Sequence, residues 1–145
     1  MTIDRNSNPS TVYWLDNTLY LNITNRCTND CCFCLRRFRR GIDKFTLKLE
    51  SEPSSADVIS ELQKVVHLKP WSEAVFCGFG EPTVQLDTLL EVTKWIRANT
   101  RLPVRLDTNG QVALLFPERE VAAELKVAGV TTVSVSLNAD SKTSV

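Results

Sequence analysis

This 145-residue chain lacks an excess of charge of either sign, since seventeen Lys and Arg side chains balance seventeen Asp and Glu. Composition therefore exerts no pull toward nucleic acid or an anionic membrane. No apolar run approaches the roughly 20 residues needed to span a bilayer. The polar start MTIDRNSNPS is also unlike a secretory leader, with its basic end and apolar middle. These absences predict a cytoplasmic protein with no membrane contact and no evident nucleic-acid partner. Histidine is nearly missing as well. His67, the only one, falls on the polar side of a helical pattern and reads as solvated. No internal repeat or low-complexity stretch interrupts the chain, whose length and apolar content suit one domain with a buried core.

Cysteine, by contrast, is concentrated. Of five cysteines, Cys27, Cys31 and Cys34 share the stretch CTNDCCFC, directly after the apolar run Leu19-Tyr20-Leu21-Asn22-Ile23. An odd count clustered behind a strand fits metal ligation in a reducing compartment better than a disulfide framework. Iron-sulfur cubes normally take four thiolates, so a loop that supplies three leaves one iron open to another ligand. Structural zinc is the alternative, but zinc sites usually pair short knuckles, and neither a second pair nor a suitable histidine is present. Cys32 and Cys77 stand outside this spacing and read as small packing residues.

Strand and helix signals alternate along the chain. Val12 to Leu15 and Leu19 to Thr24 flank Asp16-Asn17, the chemistry of a tight antiparallel hairpin. A first helix is expected to start at Ser54, capping amides near Asp57, with Val58, Leu62, Val65 and Val66 on its apolar face. Ala74 to Cys77 reads as a strand running into GFGEP. Leu86, Leu89, Leu90, Thr93 and Ile96 form a second helical stripe, and Val104 to Thr108 form a strand ending in DTNG. A third helix is expected with Pro117 near its first turn and Gly129 at its end. A fourth core strand is expected over Thr132 to Leu137. Residues 1–17 read as an N-terminal extension carrying the first hairpin strand. Residues 36–53 read as an irregular, partner-facing loop. Its Arg36, Arg37, Arg39 and Arg40 read as solvated, with clamping of a substrate phosphate or carboxylate as the alternative.

The repeated strand, loop, helix order argues for an α/β domain with a parallel sheet and right-handed crossovers. Two strands are half polar. Arg105 and Asp107 alternate with Val104 and Leu106, and Ser134, Ser136 and Asn138 alternate with Val133, Val135 and Leu137. Such a face either lines a ligand cavity or meets solvent.

Taken together, Cys27-x3-Cys31-x2-Cys34 with Phe33 before the third cysteine, GFGEP, DTNG and SLN resemble, in order and position, the core motifs of the radical S-adenosylmethionine (SAM) superfamily. More narrowly, YLNITNRC, GFGEPTVQLDTLLEV and VSVSLNA resemble a small TatD-associated subgroup. The resemblance implies a partial TIM-type (β/α) barrel, with about four of the usual six βα units behind the N-terminal hairpin. The fourth strand would then carry an open edge, so a fragment, a truncated frame or another chain completing the barrel is expected. By the same resemblance, Cys27, Cys31 and Cys34 ligate a 4Fe-4S cluster whose fourth iron takes SAM. Gly78, Gly80 and Glu81 receive the methionine ammonium through carbonyls or a carboxylate, Ser136 and Asn138 meet the ribose, and Phe33 lies against the adenine. Asn109, with Asp107, touches SAM or substrate. The implied activity is reductive cleavage of SAM to a 5′-deoxyadenosyl radical that abstracts hydrogen from an unknown substrate. A flavodoxin or ferredoxin is the implied reductant. A non-catalytic remnant that binds cluster and SAM is the other outcome. The small relatives, carboxydeazaguanine synthases and activases of glycyl-radical enzymes, are not distinguished by these residues.

Overall fold

Residues 11–26, 41–42, 45–46, 49–78 and 80–135 are described by the structure, a computed structural model. The chain enters through β1 (Val12–Leu15) and β2 (Thr18–Leu21), an antiparallel pair in which Leu15 sits opposite Thr18. That register leaves Asp16 and Asn17 as a two-residue turn. Asp16 adopts a left-handed φ of 53°, which Asp tolerates because its short polar side chain can bond locally.

Two short strands, β3 (Gly41–Ile42) and β4 (Phe45–Thr46), pair antiparallel to each other. The segment 36–53, expected to be irregular, therefore contains a small sheet of its own. Helix α1 (Ser55–Val65) follows. It starts where expected because Ser54 Oγ accepts the Asp57 N–H at 3.1 Å while the Asp57 carboxylate accepts the Ser54 N–H at 3.0 Å. This reciprocal capping box satisfies two otherwise orphan donors. Strand β5 (Glu73–Phe76), a 3-10 turn (Pro82–Gln85), helix α2 (Leu86–Asn99) and strand β6 (Val104–Thr108) come next. A short helix α3 (Val112–Leu115), helix α4 (Val121–Ala128) and strand β7 (Thr132–Val135) complete the described chain.

The third expected helix is α4, and Pro117, expected near its first turn, lies in the turn between α3 and α4, ahead of the N-cap Glu120. Proline at 117 interrupts the pattern because it cannot donate the backbone bond that a continuous helix needs there. Gly129 does end α4. Its φ is 112°, its N–H reaches the Leu125 and Lys126 carbonyls, and a Cβ there would meet the Arg97 side chain.

The sheet runs β1-β2-β5-β6-β7, antiparallel only between β1 and β2. The four parallel strands lie side by side in chain order. Right-handed crossovers that never reverse direction put their helices on one face of the sheet, and α1 packs on α2 and α2 on α4. The core fills the space between. Leu19, Leu21, Ile23, Ala74, Phe76, Val104 and Leu106 face Val58, Leu62, Leu89, Val92, Ile96, Val121 and Leu125 in one buried apolar cluster.

The other face is polar. Strand alternation places Tyr13, Tyr20, Arg105 and Thr132 in one row across it, with Val75 among them, and Cys77, Asp107 and Ser134 in the next. At β7 neither face is covered as a core strand should be. Val133 is 47% exposed and Val135 54%, β7 being the edge strand of the sheet among the described residues.

Candidate functional site

The C-terminal ends of parallel strands are where α/β folds bind ligands, because the loops there converge while the strands hold them rigidly. In this chain those ends carry the motifs. Strand β2 leads through residues 22–26 into Cys27, β5 leads into Cys77-Gly78-Phe79-Gly80-Glu81, and β6 leads into Asn109-Gly110.

These exits are joined by short bonds. Parallel pairing continues past β5, with the Cys77 N–H donating to the Leu21 carbonyl at 3.1 Å. Four residues on, the Glu81 N–H donates to the Arg26 carbonyl at 2.7 Å. Both glycines of GFGEP are required by this closeness. A Cβ on Gly78 would collide with the Asn22 side chain, and one on Gly80 with the Thr24 and Arg26 carbonyl oxygens. Only a residue without a side chain lets the two segments run this close.

Glu81 is the bolt of the arrangement. It is 4% exposed, and its carboxylate accepts from Thr83 N–H at 3.1 Å, Thr83 Oγ1, Thr108 Oγ1 at 2.7 Å and Asn109 N–H at 2.7 Å. One carboxylate thus caps the 3-10 turn and fastens β5's exit to β6's. Three of these donors share Oε2, and the Asn109 N–H alone takes Oε1. The carboxylate is therefore largely committed to the fold. Asn109 meanwhile shapes the turn, its Oδ1 accepting the Gln111 N–H at 3.0 Å beside Gly110, whose φ is 82°.

Below this rim the polar face carries a connected set of side chains that sequence reasoning did not assemble. Arg105 bridges Glu73 at 2.7 Å and Asp107 at 3.0 Å. Tyr13 is buried and stacks on Tyr20 at 5.0 Å between centroids, and its hydroxyl donates to the Cys77 carbonyl at 2.6 Å. Burial first, then the neighbouring Asp107 carboxylate, pushes the Cys77 thiol up to about 11. It stays protonated near neutrality. Burial likewise raises Tyr13 and Tyr20, with Cys77 the next cause for each. The period-two alternation of β1 and β2 was the signal that could have placed both tyrosines on this face.

Gly78, Gly80, Glu81 and Asn109 are thus brought together at the mouth of the cysteine loop, and Asp107 lies one row inside. Cys27, Cys31, Cys32, Phe33, Cys34, Arg36, Arg37, Arg39, Arg40, Ser136 and Asn138 lie outside the described residues. Among the described residues no three His, Cys, Asp or Glu side chains gather as a metal site, and no helix is long and apolar enough to cross a membrane. His67 is exposed.

The profile of the Radical SAM superfamily matches residues 21–143, from the end of β2 through β7 and beyond. The chain belongs to that superfamily, whose members generally use a 4Fe-4S cluster and SAM, and its mostly parallel α/β sheet is compatible with the family's (β/α) fold. No curated protein matches the chain.

Proposed function

We propose that the chain is the core of a radical SAM enzyme in which Cys27, Cys31 and Cys34 hold a 4Fe-4S cluster at the carboxyl end of the parallel sheet. The observation that carries this reading is the junction of strand exits. The backbone that runs into Cys27 is hydrogen-bonded to GFGEP, and Glu81 bolts GFGEP to DTNG. The donor set suits the group, because Cys27, Cys31 and Cys34 offer three thiolates from one loop and leave the fourth iron open. When bound, the cluster and SAM supply reductive cleavage of the sulfonium to a 5′-deoxyadenosyl radical for hydrogen abstraction.

The protein's own part is binding and orientation. Carbonyls of the Gly78–Gly80 segment receive the methionine ammonium, in place of the Glu81 carboxylate, which is engaged within the fold. Asn109 lies at the rim, held by its bond to Glu81. Phe33, Ser136 and Asn138 are assigned to adenine and ribose by their motif positions alone. The polar face with Arg105, Asp107, Tyr13 and Tyr20 forms the inner wall of a partial barrel and bounds the substrate space. A parallel order without reversal supports that curvature. The half-exposed Val133 and Val135, beside a cavity of about 450 Å3, support docking of a further strand-helix unit there. The subgroup is the TatD-associated one, the compartment the reducing cytoplasm, and the electron donor a flavodoxin or ferredoxin.

Anaerobic reconstitution tests the proposal. Wild-type protein should turn brown with iron and sulfide, show a paramagnetic signal that changes when SAM is added, and release 5′-deoxyadenosine after dithionite reduction. Alanine at Cys27, Cys31 or Cys34 should abolish the colour while Cys77→Ala retains it. Colourless, zinc-loaded protein would refute the cluster, and a SAM-responsive cluster without 5′-deoxyadenosine would leave a binding remnant.

A further inference from the structure

The base of the cysteine loop is closed by a clasp between YLNITNRC and residues 49–52, which belong to no motif. Upstream of Cys27 stand Thr24, Asn25 and Arg26, and across from them stand Leu49 and Glu52, the first described residues after β4 apart from Glu50 and Ser51. The Arg26 guanidinium grips the Glu52 carboxylate with two parallel bonds, Nε at 2.7 Å and a terminal nitrogen at 2.9 Å. Thr24 Oγ1 donates to the same carboxylate. Asn25 acts as a strand would, its Oδ1 accepting the Leu49 N–H at 2.8 Å and its Nδ2 donating to the Leu49 carbonyl. Leu49 is buried. Both ends of residues 27–48 are therefore tied to one another, and the Arg26 carbonyl is tied in turn to Glu81.

We infer that Arg26 and Glu52 are positioning residues for the cluster, holding the two ends of the cysteine loop at a set separation and registering the loop against GFGEP. This rests on the reading of function given above. The reason is entropic. A loop whose ends are already closed loses less conformational freedom when three of its side chains converge on one rigid group. A planar guanidinium suits the task because its fork fixes orientation as well as distance. The carboxylate answers it. Burial would raise Glu52, but its bonds from Arg26 and Thr24 outweigh burial and hold it below the usual carboxylate range. An isolated pair this exposed contributes little to global stability, so its consequence should be local, at the loop it closes.

The test is the rate of iron release to a chelator from reconstituted protein, followed by loss of cluster absorbance, alongside thermal melting of the cluster-free chain. Arg26→Ala and Glu52→Ala should each release iron about two to five times faster than wild type. Their melting temperatures should stay within a few degrees of wild type. The double variant should release iron no faster than either single one. Arg26→Lys, which keeps the charge and loses the fork, should fall between. Wild-type release rates in both alanine variants would overturn the inference while leaving the cluster assignment intact. Additive effects in the double variant would overturn it too, since the two side chains would then act separately. A wild-type chain that takes up no iron would overturn both readings.

Discussion

At the scale of single residues, the most constrained side chain outside the core is Glu81. A carboxylate can sit 4% exposed only if its lone pairs are met, and the four donors from Thr83, Thr108 and Asn109 meet them. Glu81→Gln keeps the shape but turns one acceptor into a donor that faces another donor. It should cost about 1–3 kcal/mol in urea unfolding and weaken SAM binding as well, because Asn109 and the Gly78–Gly80 carbonyls shift with it. Unchanged stability would mean that the carboxylate is not the bolt described. In the sequence GFGEP stands as a motif whose glycines, by resemblance, serve a ligand. That those glycines also let it pack against residues 22–26 of YLNITNRC depends on strand alignment, which neither motif encodes.

At the scale of elements, helix ends obeyed local chemistry. Ser54 and Asp57 form the capping box that their spacing suggested, and Gly129 ends α4 in the left-handed region. Gly129→Ala should therefore destabilise the fold by about 1–3 kcal/mol in thermal or urea melts, through backbone strain and contact with Arg97. A neutral result would show that Arg97 moves aside and the turn relaxes. Pro117 marks the approach to α4 without fixing its first residue. Proline suits the first turn of a helix and the loop before one equally well, and only the packing of α3 and α4 decides between them. The pair β3 and β4 was missed because two-residue strands are too short to show any period.

At the scale of the whole molecule, the apolar cluster is closed at β1, β2, β5 and β6 and open at β7. Leu106 is 1% exposed while Val133, beside it in register, is 47% exposed. Truncation should register that gradient. Leu106→Ala should cost about 2–5 kcal/mol, and Val133→Ala less than about 1 kcal/mol in the isolated chain, both read from urea unfolding. Equal costs would mean that something covers β7 in solution, as the proposed docking of a further strand-helix unit requires. The polar face opposite the helices follows from the same topology. Crossovers of one hand around strands in chain order leave one face to helices and the other to side chains such as Arg105 and Asp107.

The sequence by itself determined the long helices, the sheet strands, the hairpin turn, the caps and the superfamily, because each of these is written in neighbouring residues: periodicity, capping spacing and ordered motifs. Only the tertiary structure decided which motif leans on which. Glu81 fastens two strand exits, and Arg26 and Glu52 meet across the base of the cysteine loop. Contacts between residues distant in sequence depend on how strands align in the sheet, and no local pattern encodes that alignment.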